Sequence, residues 1–106
     1  MAKYLINKSY QIAEDEFIDI MIVTVPKSKQ FPNGVKYGIN YRVFAGHEWI
    51  ELIRYDNAHG IGEHRHMFGE IKPTGTIHPE KIINEMIKII NERRSEIDEI
   101  KRRSKG

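Results

Sequence analysis

Tyr37, Ile39, Tyr41 and Val43 alternate with Lys36, Gly38, Asn40 and Arg42, so one side of this segment is apolar and the other polar. Successive side chains of a strand point to opposite faces, and the pattern predicts a strand with one face buried. Ala45-Gly46-His47 makes a short turn into a second run, Glu48 to Tyr55, and residues 36–55 are expected to form a hairpin. Phe17 to Val25 is apolar on both faces and rich in β-branched residues, which suits a central strand. Pro26 has no N–H to offer a ladder and ends it. Pro32-Asn33-Gly34 supplies turn chemistry in the loop from Lys27 to Gly34. Two further strands are expected near Tyr4 to Ile12 and near Met67 to Lys72.

The last third changes period. Ile83, Met86, Ile87, Ile90 and Ile97 recur at helical spacing, and Ile82, Ile89 and Ile100 widen the stripe. Pro79 suits the first helical position and Glu80 the positive end of the helix dipole, which makes His78 the expected N-cap. The stripe must be buried, and a sheet needs a cover. The chain therefore reads as one α+β domain over residues 1–106, with a strand-rich part over 1–75 and a helix over about 79–103. Its architecture is two-layered: a mainly antiparallel sheet of about five strands under one long C-terminal helix. Such a helix spans nearly 40 Å at about 1.5 Å per residue, longer than a small sheet needs. Its second half is expected to protrude, with Ile97 and Ile100 either contacting a second copy in a homodimer or fraying into solvent.

Composition sets limits on function. With 106 residues, 40% hydrophobic and 30% charged, the chain is an ordinary globular one with room for a single core. It has no apolar run long enough for a membrane span and no apolar segment of a signal peptide at its N-terminus, so a cytoplasmic protein without membrane partners is expected. The absence of cysteine removes disulfides, thiolate metal sites and cysteine nucleophiles. A net charge of +2 argues for no particular partner. Lys101, Arg102, Arg103 and Lys105 gather at the end, where the helix dipole favours cations in any case.

The candidate chemistry lies between Arg54 and His66. This stretch brings His59, His64 and His66 together with Arg54, Arg65, Asp56 and Glu63, and the glycines Gly60 and Gly62 allow a tight loop. Imidazole moves protons near neutral pH and guanidinium clamps phosphate. His64 and His66 flank Arg65, so on an extended segment both imidazoles share one face and Arg65 takes the other. Three readings follow. Metal-free RNA cleavage, needing no cofactor, would use His64 or His59 as base, His66 as acid, Arg54 or Arg65 on phosphate and Asp56 to orient an imidazole. Tyr55 then stacks or hydrogen-bonds, and Asn57 completes the nucleic-acid-binding set of Arg54, Tyr55, Asn57 and Arg65. A metal-dependent hydrolase or nuclease would instead ligate a cation with His59, His64, His66 and Asp56. The third reading is a non-enzymatic interaction module that binds through a sheet edge or the long helix. Elsewhere His47 reads as a turn residue, Trp49 as core or a cross-strand partner of Tyr41 or Tyr37, and Glu14-Asp15-Glu16 as a solvated turn.

Arg54-Tyr55-Asp56-Asn57-Ala58-His59, followed by His64-Arg65-His66, resembles the motif of the TumE-like toxins of bacterial and archaeal toxin-antitoxin modules. The strand meander before the motif and the helical part after it match that layout over roughly residues 4–90, and only the motif is specific. Gly60-Ile61-Gly62-Glu63 stands where related motifs often carry further histidines. The resemblance implies a toxin acting on RNA or translation, neutralised by a helix-turn-helix antitoxin. It points to Arg54, Asp56, Asn57, His59, His64 and His66 as the residues that matter.

Overall fold

The computed structural model describes residues 3–57, 64–74 and 79–103. Six strands form one antiparallel meander in which neighbours in sequence are neighbours in space. They are β1 (Lys3–Ala13), β2 (Glu16–Thr24), β3 (Val35–Ala45), β4 (Glu48–Asp56), β5 (His64–Met67) and β6 (Glu70–Pro73). Two helices follow, α1 (Pro79–Glu92) and α2 (Arg94–Arg103). The fold is α+β, as the periodicities predict, with the helices on one face of the sheet.

The alternation on β3 sets the layers. Tyr37, Ile39, Tyr41 and Val43 are buried, together with Ile18, Ile20 and Ile22 of β2 and Ile53 and Tyr55 of β4. From the other layer Ile82, Met86, Ile89, Ile90 and Ile97 close on them. Each such side chain contributes about 1.5–3 kcal/mol on full burial, so this sandwich is the main source of stability. Ile97 is fully buried and Ile100 packs against the same cluster, so both serve the chain's own core. The end of the helical part does not protrude.

Three expectations are corrected. The strand predicted across Met67 to Lys72 is a hairpin instead, turning at Phe68-Gly69 with Met67 paired to Glu70. Phe68 and Gly69 both have positive φ, 49° and 90°, the combination of a two-residue type I′ turn. Left-handed backbone costs a bulky residue about 1–2 kcal/mol. Phe68 is held there because its ring packs on the core and under the Arg93 guanidinium, 3.8 Å from the ring centre, while its N–H donates to the Leu52 carbonyl. This turn splits the return strand and raises the count to six.

The single long helix is interrupted at Arg93. Neither proline nor glycine is present there. Instead Arg93 leans on Phe68 and pairs with Glu96, while Arg94 reaches Glu16 at the start of β2. Backbone bonds from Arg93 to Ile89 and from Ile97 to Arg93 carry the chain through, so α2 continues α1 and keeps Ile97 in the core.

Glu16 is the third correction. Glu14 and Asp15 do form the turn between β1 and β2, but Glu16 is only 1% exposed. Its carboxylate accepts from the Tyr41 hydroxyl, from Arg94 Nη1 at 2.7 Å and from Lys101 Nζ at 2.9 Å. Burial alone would raise its pKa, but the bonds from Arg94, Tyr41 and Lys101 outweigh that and hold it at about 2. The same cluster pushes the Tyr41 hydroxyl up, through burial and the bond to Glu16, and raises Arg94. This network fastens α2 to the sheet.

Candidate functional site

One extra residue decides where the motif points. In register β3 pairs Arg42 with Glu51 and Tyr41 with Ile53, which leaves Leu52 as a bulge on β4. Without it, Arg54 and Asp56 would share the face of Ile50 and turn toward the core. The bulge inverts the parity, sending Ile53 and Tyr55 into the core and Arg54 and Asp56 to the face away from the helices. Bulges commonly re-aim side chains beside functional sites.

The pairing of β4 with β5 then assembles the cluster. Asp56 stands opposite His64 and Arg54 opposite His66. All four lie on the outer face, since Tyr55 and its partner Arg65 occupy the inner one. His64 Nε2 is 3.2 Å from Asp56 Oδ1, and Arg54 Nε is 2.8 Å from Oδ2 of the same carboxylate. The rings of His64 and His66 meet edge to face with centres 4.8 Å apart. Asp56 and His64 are both 1% exposed, His66 is half-buried, and 40% of the Arg54 side chain is exposed. The order from inside outward is therefore carboxylate and first imidazole, then second imidazole and guanidinium.

The remaining motif residues serve the frame. Arg65 bonds Glu85 of α1 at 2.9 Å and approaches the Tyr55 hydroxyl at 3.5 Å, on the face opposite the imidazoles, as the alternation predicts. Tyr55 is wholly buried, and burial, the largest influence, raises its pKa. Asn57 accepts from the Tyr37 N–H at 2.9 Å and donates to the Val35 carbonyl at 2.8 Å, clamping the end of β4 to the start of β3. His59, Gly60, Gly62 and His78 lie outside the described residues. The structure thus unites Arg54, Asp56, His64 and His66, and separates Arg65, Tyr55 and Asn57 from them.

Neighbours unmarked by the motif join the same face. Asn40 stands in register with Arg54, and Asp19 with Asn40. Asp19 accepts from Arg42 Nε at 2.7 Å and from Asn40 at 3.2 Å. Burial raises the Asp19 pKa, but the bonds from Arg42 and Ser9 more than reverse it and the net shift is downward. The Arg42 guanidinium lies 4.7 Å from the centre of the Phe17 ring and 4.4 Å from that of Trp49. Trp49, 43% exposed, meets Phe44 and Phe17 rather than Tyr41 or Tyr37, because the register places it opposite Phe44. The polar half of the β3 alternation is the signal that marks Asn40 and Arg42 as outer-face residues.

Two kinds of chemistry fit this geometry. Asp56, His64 and His66 each offer a ligand-type atom, and these atoms lie within 4.8 Å of one another, close enough to converge on a cation. Arg54, however, places a permanent positive charge 2.8 Å from the carboxylate such a cation would need. The alternative is proton transfer by an imidazole whose neighbour is fixed by a buried carboxylate, with a guanidinium beside it for an anion.

A small α+β protein with a helix-covered inner face and this ionisable cluster on the outer one is the class that the geometry defines. The family model described as "Toxin TumE" matches residues 3–97, nearly the whole chain. The protein belongs to the TumE toxin family, which makes it a toxin of a toxin-antitoxin module with an antitoxin as partner. Neither a curated protein nor a solved structure matches the chain. Among the described residues no helix is long and apolar enough to cross a membrane.

Proposed function

We propose that this toxin binds single-stranded RNA on the outer face of its sheet and cleaves it without a metal. The observation that carries the reading is the pairing of Arg54 with His66 on adjacent strands. Directly opposed residues of an antiparallel pair hold their Cβ atoms about 5 Å apart, so a phosphate at the guanidinium puts its neighbouring 2′-hydroxyl within reach of the imidazole. With His64 buried and His66 half-buried, His66 serves as the base rather than the acid that the sequence suggests: it takes the proton of that hydroxyl, and the 2′-oxygen attacks phosphorus to form a 2′,3′-cyclic phosphate. The bond to the 5′-oxygen breaks, and that oxygen leaves with a proton from a second donor, for which His59 is the candidate in the sequence. Arg54 balances the charge that grows on the phosphoryl oxygens.

Burial supports the other roles. His64 and Asp56 are too enclosed to touch RNA, so they act as positioning residues: the Asp56 carboxylate 3.2 Å from Nε2 holds the His64 ring, and that ring packs against His66. Arg65 and Tyr55, on the inner face, are left out of the binding set. Such an enzyme meets its substrate in the cytoplasm, and the helix-turn-helix antitoxin that the resemblance implies is its inhibitor.

The test incubates purified protein with a 5′-labelled single-stranded RNA in EDTA, beside a copy with one 2′-deoxy residue at the cleaved position. Cleavage by wild type to a cyclic phosphate end, blocked by the deoxy substitution and reduced at least a hundredfold in His66→Ala, supports the reading. Equal cleavage by His66→Ala removes the catalytic assignment. Complete loss in EDTA with recovery on adding zinc or manganese moves the site to metal chemistry.

A further inference from the structure

The helices cover only part of the sheet. Six strands about 4.8 Å apart make a layer some 24 Å wide, and a helix with its side chains is about 10–12 Å across. Both helices pack over β3. The inner face of β1 and β2 is left beside the flank of α1, and the two surfaces enclose an apolar groove of about 470 Å³. Its lining includes Tyr10 and Ile12 of β1, Ile18 and Ile20 of β2, and Ile83 and Ile87 of α1. Of the large apolar side chains exposed among the described residues, Ile6, Tyr10, Ile12 and Ile87 all belong to this half. Contiguous exposed apolar surface of this kind marks an interaction site.

We infer that the groove seats one amphipathic helix of the antitoxin, laid alongside α1 to complete the helical layer. The inference uses the family's antitoxin partner and is independent of the RNA chemistry. Strand addition is the rival mode, since β1 is an edge of the sheet. That edge is blunted: the β1 and β2 register shifts between Tyr4 and Ile6 and again between Gln11 and Ala13, and Lys8 stands between them. Bulges and lysine are the devices by which sheet edges refuse another strand, including the same strand of a second copy. An occupant on the face rather than the edge, between a sheet and a parallel flank of helix, has the shape of a helix. Lys8, in register with Ile20, puts an exposed cation on the inner face of β1, so the partner helix carries an apolar stripe at i, i+3 or i+4 and i+7 with an acidic residue on the side facing Lys8.

The probe is the product of the open reading frame adjacent to this one, tagged and co-expressed with the full chain. Ile87→Glu and Tyr10→Glu act at exposed positions and leave the helical circular dichroism unchanged, yet reduce co-purification at least tenfold, and Lys8→Glu weakens it severalfold. Ile71→Glu, on exposed β6 at the opposite edge, leaves it intact. Full retention by Ile87→Glu and Tyr10→Glu, loss in Ile71→Glu, or failure of the wild type to bind the probe each overturns the proposal. So does a dimer of the chain alone that Ile87→Glu converts to monomer, since a second copy would then own the groove. RNA cleavage assayed on Ile87→Glu and Tyr10→Glu separates this outcome from the catalytic reading, because the groove lies on the inner face and His66 on the outer, whereas Ile71 stands opposite His66 and serves only as the binding control.

Discussion

Arg94 reaches from the first turn of α2 to the Glu16 carboxylate at the start of β2, with Nη1 2.7 Å from Oε2. The pair joins residues far apart in sequence across the two layers, and Lys101 completes it two helical turns later. Glu16 is held at about 2, against 4.5 for an ordinary glutamate. A carboxylate whose folded pKa is depressed contributes stability above its unfolded pKa and loses it as pH falls through the folded one. The contribution is thus complete at neutral pH and is lost progressively between about 4.5 and about 2. Urea titrations of wild type and Glu16→Gln should differ by on the order of 2–3 kcal/mol at pH 7, converging as pH drops through that window. A gap that stays constant from pH 7 to pH 2.5 would remove the network from the stability of the fold.

Phe68 offers a second measurement. It carries a φ of 49° in the β5 to β6 turn and also supports Arg93. Replacing it by alanine removes the cation-π contact and the packing while keeping the backbone cost. Glycine removes the same contacts and relieves that cost. Phe68→Gly should therefore be less destabilised than Phe68→Ala by about 0.5–1 kcal/mol in thermal melts, although both fall below wild type. The reverse order would mean that the turn does not keep its left-handed backbone.

How far these features were legible follows from what each depends on. The strand of Tyr37 to Val43, the turn at Gly46 and the helical stripe from Ile82 to Ile97 are written in local period, and local period survives folding. Arg65 facing away from His64 and His66 is the same arithmetic. Glu16 follows two acids that suit a solvated turn, and that local composition masks the parity it shares with Ile18, Ile20 and Ile22 on the buried face. The turn at Phe68 hides behind a residue that avoids positive φ, and only Gly69 betrays it. Which side Arg54 and Asp56 take depends on the Leu52 bulge, a property of the pairing of two strands, and no single segment announces it.

Asp56 tests the difference between positioning and contact. Asp56→Asn keeps the volume but replaces the charge shared by Arg54 and His64. Because a buried charge partner is lost, the melting temperature should fall, by the equivalent of about 1–3 kcal/mol. RNA affinity in an anisotropy titration should stay within about threefold of wild type, since the guanidinium remains, while the cleavage rate drops by at least tenfold. Arg54→Ala should do the opposite, weakening binding and its salt dependence more than it harms the fold. If both variants lose affinity equally, Asp56 touches the substrate and the burial argument fails.

Zinc separates the two chemistries of the site. Asp56, His64 and His66 can converge on a cation, and what opposes it is the Arg54 guanidinium 2.8 Å from the Asp56 carboxylate. Arg54→Met should free that carboxylate and turn the cluster into a zinc site. At a hundredfold excess over the dissociation constant, a ligand that binds only the folded state stabilises it by about 2.7 kcal/mol. In a domain of this size that is a rise of about 10 °C or more in melting temperature. The rise should be seen in Arg54→Met with micromolar zinc, be absent from wild type under the same conditions, and vanish again in Arg54→Met with His66→Ala. An equal rise in wild type, abolished by His66→Ala, would show that the arginine does not keep cations out, and RNA cleavage would then have to be rewritten around a bound metal.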